Sequence, residues 1–461
     1  MNAALLTDFG STCTKVTAVD LSAHRILATA YDFTTVQTDV AEGLSRALQK
    51  LKEKTGEIDY QVHLACSSAA GGLRMLSCGL VPSLTAKAAH LAALGAGAKV
   101  LKTYAYQLTE EDGEEITRLN PDIFLLTGGT DGGNTEAILH NAKVLASLPG
   151  KFPIVIAGNR AAASKCREMI ANSDHSALVT ENVMPSFNVL NILPAQQLIR
   201  DIFLERIIKA KGLTKAAGIM DDIVMPTPSA VMTALQLLSD GVDGKMGLGE
   251  LMAVDLGGAT TDIYSIASGA PGSAATLLSG LPEPYAKRTV EGDIGMRYSA
   301  RGVVEAVGIQ EVARVSGLTA DEVERQLLRI DEDKSLLPDC PEMEKLDFAL
   351  ASLAIRTGLL RHAGTVHQVY TPVGPVFQQK GKDLTRVQRL LLTGGALIHS
   401  PRMKEMLHAA LTIAAPEALI PWHAEPVADT EYILSAMGLL SQKYPEVAFD
   451  IMYQTFGKDV H

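Results

Sequence analysis

Two carboxylates, each followed at once by glycine and hydroxyl residues, are the groups in this chain best suited to chemistry. Asp255 lies in Leu251–Tyr264 (LMAVDLGGATTDIY), after a short apolar run and before Gly257, Gly258, Thr260 and Thr261. Asp8 lies in Ala3–Lys15 (AALLTDFGSTCTK), before Gly10, Ser11, Thr12, Thr14 and Lys15. Glycine lets a backbone approach a ligand with its N–H groups bare, and successive bare N–H groups cradle phosphate. Hydroxyls add donors, and a carboxylate offers an oxygen to phosphate-bound Mg2+ or a partner to its water. One Gly-Gly hairpin between strands is more often structural than functional. The repeat changes that balance. Asp8 matches Asp255, Gly10 matches Gly257 and Thr14 matches Thr261, which suggests two related lobes facing one nucleotide from opposite sides. Two such turns on one polyphosphate suit Mg-assisted phosphoryl transfer, where positioning and charge neutralisation carry the catalysis.

The elements that must hold these residues are legible from periodicity. Residues 3–33 read as a three-strand meander, with turns near Gly10 and Ser22 to His24, and Leu251–Tyr264 as a strand, a tight bend and a returning strand. Helical spacing over Thr38–Lys54 ends at Gly56, and a short strand His63–Cys66 opens into SSAAGG (Ser67–Gly72), the first lobe's counterpart of a ligand-facing turn. Residues 84–159 read as an inserted α/β segment with strands at Val100–Gln107, Ile123–Thr127 and Ile154–Ala157. Its TGGTDGG loop at 127–133 is either a second ligand loop with Asp131 as the polar group or, the favoured alternative, a Gly-rich strand–helix connection. Pro228 starts an amphipathic helix through Asp240, and Gly241–Gly249 reads as a flexible link between lobes. Val290–Arg297 (VEGDIGMR) reads as an acidic helix start, residues 300–368 as mainly helical with a capping box at Thr319 and Glu322, and Asp429–Leu440 as a late helix with Ala436 and Gly438 open to close approach.

The two Asp motifs, together with Leu390–His399 (LLLTGGALIH), resemble the phosphate-1, phosphate-2 and adenosine motifs of the actin, Hsp70 and sugar-kinase superfamily. The form DxGSTxTK at Asp8–Lys15 is closer to the activators and reactivating factors of radical and cobalamin enzymes, and nearly the whole chain resembles the MutL-type accessory proteins of glutamate mutase (unrelated to the mismatch-repair protein of that name). The resemblance implies an α/β, two-lobed, actin/Hsp70-like (ribonuclease H-like) duplicated ATPase fold. Lobe I would be 1–240, with the insertion 84–159 and a crossing helix 228–240. Lobe II would be 241–461, with a helical insertion 300–368 and a second crossing helix 429–440. It implies ATP and Mg2+ as cofactors, with Asp8 and Asp255 catalytic and metal-side. Asp8 takes the metal role and Asp255 the water role, and the reverse stays open. Gly10, Ser11, Thr12, Thr14, Lys15, Gly257, Gly258, Thr260, Thr261, Glu291, Thr393, Gly394 and Gly395 would line the nucleotide site. Lys15 reaches phosphate or caps a strand edge, and the acidic turn at Glu291 is explained equally by the helix dipole.

Bulk composition narrows the partners. The 461 residues are 47% hydrophobic and 20% charged, as in an ordinary soluble globular protein. Aromatics are few at 5% and the formal charge is −11, which argues against nucleic acid and anionic membranes as partners. Five scattered cysteines with no CxxC pair predict a reducing compartment and no intrinsic metal cluster. Met1 runs directly into the first strand and no apolar run is long enough to span a bilayer, so the expected location is the cytoplasm. The expected function is ATP-driven reactivation of an adenosylcobalamin-dependent mutase subunit, with homo-oligomerisation open. Two alternatives are a small-molecule kinase using the same cleft and an actin-like structural ATP-binding protein.

Overall fold

Strands that are apolar at nearly every position form the centre of each main sheet. Ala3–Phe9 is buried throughout, and Leu251–Leu256 is buried except at Asp255, the pattern of strands covered on both faces. The computed structural model describes residues 2–10, 13–33, 40–68, 73–210, 222–273, 276–372, 374–412 and 415–457. These form two compact units, Met1–Leu237 with Gly280–Pro284 and Leu434–Gln454, and Leu238–Ser279 with Tyr285–Ile433 and Thr455–His461. The units are therefore interleaved in sequence rather than divided once at residue 240. The chain leaves the second unit to complete the first.

In the first unit the strands are β1 (Ala3–Phe9), β2 (Cys13–Asp20), β3 (Arg25–Phe33), β4 (Val62–Ser67), β5 (Arg74–Gly79), β6 (Lys99–Ala105), β7 (Ile123–Leu126), β8 (Pro153–Ile156), β9 (Ser176–Val179) and β10 (Asp222–Pro226). Five of them build a sheet in the order β10-β4-β1-β2-β3, antiparallel across β1, β2 and β3 and parallel across β1, β4 and β10. The other five build a separate parallel sheet in the order β6-β5-β7-β8-β9. The insertion thus runs from Arg74 to Val179, wider than the expected 84–159. Both of its outer boundaries escaped the sequence pattern, β5 because it follows the small-residue SSAAGG run directly, and β9 because its side chains are half-buried or exposed. One apolar core joins both sheets, with Leu5, Val16 and Ala65 packed among Met75, Ile123 and Val155.

In the second unit the strands are β11 (Gly241–Val242), β12 (Lys245–Met246), β13 (Leu251–Leu256), β14 (Thr261–Ile266), β15 (Thr276–Ser279), β16 (Ala286–Glu291), β17 (Thr365–Thr371), β18 (Gly374–Lys380), β19 (Arg389–Thr393) and β20 (Glu425–Ala428). The main sheet has the order β16-β14-β13-β19-β20, antiparallel across β13, β14 and β16 and parallel across β13, β19 and β20. Order and directions repeat those of the first unit's β10-to-β3 sheet, so the duplication read from two Asp motifs extends to whole sheets. This is the α/β topology that the resemblance implied.

Several local expectations are corrected. Gly241–Gly249 holds a small antiparallel hairpin, β11 with β12, rather than a bare link. VEGDIGMR is the end of β16 and the turns after it, and the helix starts only at Ala300. The apolar Ile294 and Met296 are buried there, which ties the segment to the core instead of a helical face. Helices occupy Ala300–His362, after which Thr365–Thr371 pairs as β17 in a small sheet with β18 and β15. The capping box at Thr319 and Glu322 is formed on both sides. The two crossing helices are Thr227–Asp240, directly after β10, and Ile433–Leu440, after β20. They touch at Gly438, where a Cβ would stand 1.8 Å from the Ala230 carbonyl oxygen, so a larger residue cannot be seated without moving a helix. Among the described residues no helix is long and apolar enough to cross a membrane.

Candidate functional site

The two hairpins superimpose residue for residue in their hydrogen-bond register. In β1/β2, Asp8 faces Lys15 and Phe9 faces Thr14; in β13/β14, Asp255 faces Asp262 and Leu256 faces Thr261. Each bend closes on the same bond, Gly10 N–H to the Cys13 carbonyl at 3.1 Å and Gly257 N–H to the Thr260 carbonyl at 2.9 Å. Gly10 is a glycine because a Cβ would meet the Cys13 oxygen at 2.5 Å. On the parallel side Asp8 stands beside Cys66 of β4 and Asp255 beside Thr393 of β19. Strand alternation sends cross-strand partners to one face and the next pair to the other. Asp8 and Lys15 therefore share a face, as do Asp255 and Asp262, while Thr14 and Thr261 turn to the opposite one.

That alternation corrects part of the expected phosphate shell. Thr14 and Thr261 are fully buried, and the Thr261 hydroxyl donates to the Ile294 carbonyl at 3.0 Å. Both threonines pack the hairpins instead of lining a face with the carboxylates. Thr260 is half-buried, with its hydroxyl 3.4 Å from Asp262 Oδ2. Gly258 contributes its carbonyl to the Arg297 and Tyr298 amides, each at 2.8 Å, which locks the bend against the segment after β16. Ser11 and Thr12 lie outside the described residues, as do residues 69–72 of the SSAAGG run.

The two expected metal-side carboxylates have different surroundings. Asp8 is 7% exposed, and each of its oxygens accepts a hydroxyl: Oδ1 from Thr227 at 2.6 Å and Oδ2 from Ser435 at 2.8 Å. Asp255 is half-buried beside Asp262, whose Oδ1 takes Arg288 Nε at 2.8 Å and Nη2 at 2.6 Å. The buried guanidinium offsets the repulsion of two like charges placed opposite each other on neighbouring strands. Sequence reasoning missed Asp262, Arg288, Thr227 and Ser435. The first pair had a signal, since the register that aligns Asp8 with Asp255 also puts Asp262 where Lys15 stands. Among the described residues no group of three or more His, Cys, Asp or Glu is placed to hold a metal ion by itself.

Glu291 ends β16 opposite Thr261 and is buried in an ion pair with Arg361. Burial pushes its carboxyl up from the usual range and the Arg361 guanidinium pulls it back. Its charge is committed to a neighbour rather than to a helix terminus. The TGG turn follows β19: Thr393 is buried, Gly394 caps, and the helix Gly395–Ile398 begins. Gly394 has φ 98°, and a Cβ there would stand 2.3 Å from the Leu256 carbonyl oxygen, so this turn is pressed against β13. Gly395 is exposed, and the Tyr432 hydroxyl lies 3.4 Å from the site of a Cβ, the one neighbour within 4 Å among the described residues.

The TGGTDGG loop spends its polar groups on its own subdomain. Asp131 Oδ1 accepts the Arg160 amide and the Asn182 side-chain amide, both at 3.0 Å. Asn159 caps the following helix and donates to the Gly133 and Asn134 carbonyls at 3.1 and 3.2 Å. A Cβ on Gly158 would meet the Gly128 amide nitrogen at 2.8 Å, so the loop's glycines answer to the contact between neighbouring loops.

Comparison with known proteins bears on this geometry. The family model described as MutL protein matches residues 4–456. The chain belongs to the MutL protein family. A curated MutL-family relative, Protein MutL of Clostridium tetanomorphum, is 47% identical over 455 residues, covering 98% of each chain. Solved structures similar to this MutL-family chain include nucleotide-free acetone carboxylase, at 12% identity and TM-score 0.40 over 95% of this chain and 70% of that one. Another is the activator of the 2-hydroxyisocaproyl-CoA dehydratase from Clostridium difficile with bound ADPNP, at 11% identity and TM-score 0.33 over 100% and 99%. Xylulose kinase from Bifidobacterium adolescentis matches at 12% identity and TM-score 0.32 over 96% and 92%.

Proposed function

We propose that this MutL-family chain is a Mg2+-dependent ATP-binding and ATP-hydrolysing accessory protein. It acts in the cytoplasm as a reactivating chaperone for an adenosylcobalamin-dependent carbon-skeleton mutase such as glutamate (methylaspartate) mutase. The observation that supports this most is the repeat of one hairpin in two sheets of the same topology, with Asp8 and Asp255 at the same register position of each. Two matching glycine bends, each closed by the same bond at Gly10 and Gly257, and a Thr393-Gly394-Gly395 turn with Gly395 exposed support a nucleotide as the ligand. Bound Mg2+ supplies neutralisation of phosphate charge.

The chain's own residues do the rest. Asp8 and Asp255 are assigned to the same reaction: Asp8 would hold Mg2+ through water, and Asp255 would orient or deprotonate the attacking water. Lys15, on the Asp8 face of its hairpin, is suited to a phosphate oxygen. Asp262, held by Arg288, fixes the wall beside Asp255. ATP turnover then biases the affinity for the mutase between two states, so that hydrolysis resets the accessory protein.

Phosphate release is measured without acceptor, and mutase turnover is measured after inactivation with damaged cobalamin. Slow release alone, with ATP-dependent recovery of the mutase, is expected. A requirement for a small acceptor that becomes phosphorylated would mark a kinase instead. Asp255→Ala is expected to abolish hydrolysis while ATP affinity stays within about an order of magnitude, since the loss falls on the transition state. Undiminished turnover in that variant removes the mechanism.

A further inference from the structure

A buried carboxylate needs hydrogen-bond donors for its oxygens, and the source of those donors at Asp8 is unusual. Neither comes from the β1/β2 hairpin. Thr227 is 219 residues away in sequence and opens the first crossing helix; Ser435 is 427 residues away and lies on the second. Thr227 Oγ1 also lies 3.6 Å from Cys66 Sγ, but its single proton goes to the oxygen at 2.6 Å. Ser435 is itself 7% exposed, so its hydroxyl has no solvent alternative of comparable quality.

We propose that Thr227 and Ser435 are positioning residues for Asp8, and that they make its catalytic competence conditional on the packing of the two crossing helices. This inference rests on the ATPase assignment above. Each hydroxyl fixes one oxygen of the carboxylate, so its plane cannot rotate, and each oxygen keeps a lone pair for a water or a metal-bound water. The helices meet where Gly438 closes on the Ala230 carbonyl, one helical turn from Ser435. A displacement of an ångström at that crossing carries a bond of 2.8 Å out of hydrogen-bond range. Asp8 therefore reads the helix crossing directly, through two hydroxyls and no intervening residue.

The test uses the full chain with ATP and Mg2+, measuring kcat, KM for ATP, the Mg2+ concentration for half-maximal turnover, and thermal melting. Thr227→Ala and Ser435→Ala should each lower kcat by about tenfold and raise the Mg2+ requirement, with KM for ATP within about twofold. Thr227→Ser keeps the hydroxyl and should retain turnover, which separates the hydrogen bond from the loss of a methyl group. Gly438→Ala, which touches no part of the nucleotide site, should reproduce the Ser435→Ala kinetics by pushing the helices apart. Wild-type kcat and Mg2+ dependence in both alanine variants would overturn the clamp, as would a Thr227→Ser variant impaired as deeply as Thr227→Ala. Should Thr227→Ala fail to fold, Ser435→Ala with Thr227→Ser carries the same decision. Asp8→Ala separates the two levels. Absence of ATP turnover in the unmodified chain sinks the ATPase assignment itself, full turnover in Asp8→Ala sinks the role of Asp8, and lost turnover in Asp8→Ala with normal hydroxyl variants sinks the clamp alone.

Discussion

Replacing Gly394 by alanine tests the link between the Thr393–Gly395 turn and β13. Gly394 has φ 98° and ψ 139°, a region open to glycine and costly to other residues, which contributes about 1–3 kcal/mol. A Cβ would also stand 2.3 Å from the Leu256 oxygen and 2.8 Å from its carbonyl carbon. Those are backbone atoms of a central strand, so relief requires shifting β19 against β13, an overpacking cost of about 1–3 kcal/mol. The sum of about 2–6 kcal/mol is a large part of the 5–15 kcal/mol typical of a folded protein. Calorimetry should show the transition of the second unit falling by roughly 5–20 °C. Gly395→Ala is the control: the residue is exposed, opens a helix, and its added Cβ would lie 3.4 Å from the Tyr432 hydroxyl. Its melting temperature should stay with the wild type, to within about 0.5 kcal/mol, while ATP affinity measured by titration calorimetry falls. A Gly394→Ala protein that melts with the wild type would refute the reasoning.

Three further outcomes follow from other sites. His362 is fully buried between the hydroxyls of Thr289 and Ser265, and burial together with Lys287 and Lys382 holds its pKa well below the usual value. The unfolded imidazole protonates near pH 6.5, so stability is intact above that and falls below it by about 1.4 kcal/mol per pH unit; His362→Gln should flatten that slope in melts from pH 7.5 to 5. Asp131→Ala removes the acceptor for Arg160 and Asn182 and should cost about 1–3 kcal/mol in denaturant unfolding while leaving ATP turnover unchanged; lost nucleotide binding would show instead that the loop holds ligand. Arg288→Gln strands Asp262 beside Asp255 and should destabilise by about 3–5 kcal/mol, with Asp262→Asn in the same chain restoring part of it in the same melts.

The hairpins were legible because Asp-x-Gly with a hydroxyl at fixed distance determines which residues pair across the bend, and the observed registers at Asp8–Lys15 and Asp255–Asp262 match that spacing. The same spacing could not tell which face Thr14 and Thr261 take, because a hydroxyl suits a phosphate and a buried carbonyl equally. β5 and β9 were illegible as insert boundaries for opposite reasons, one adjoining a run of small residues and the other too exposed for an apolar pattern. Thr227 and Ser435 carried no local signal at all. Their role arises only when distant segments meet at one carboxylate, and no window of sequence holds both.

Interleaving has a consequence for synthesis. The first unit draws Leu281 into its apolar core, sets Glu283 on Lys87 at 2.5 Å, and takes the segment Leu434–Gln454. A ribosome that has delivered residues 1–240 has therefore not delivered a complete domain, and the usual order in which an amino-terminal half folds while the rest is translated is unavailable here. Asp8 is made 427 residues before the serine that bonds it. The pair of hydroxyls on Asp8 is consequently incomplete in the nascent chain until Ser435 has been translated.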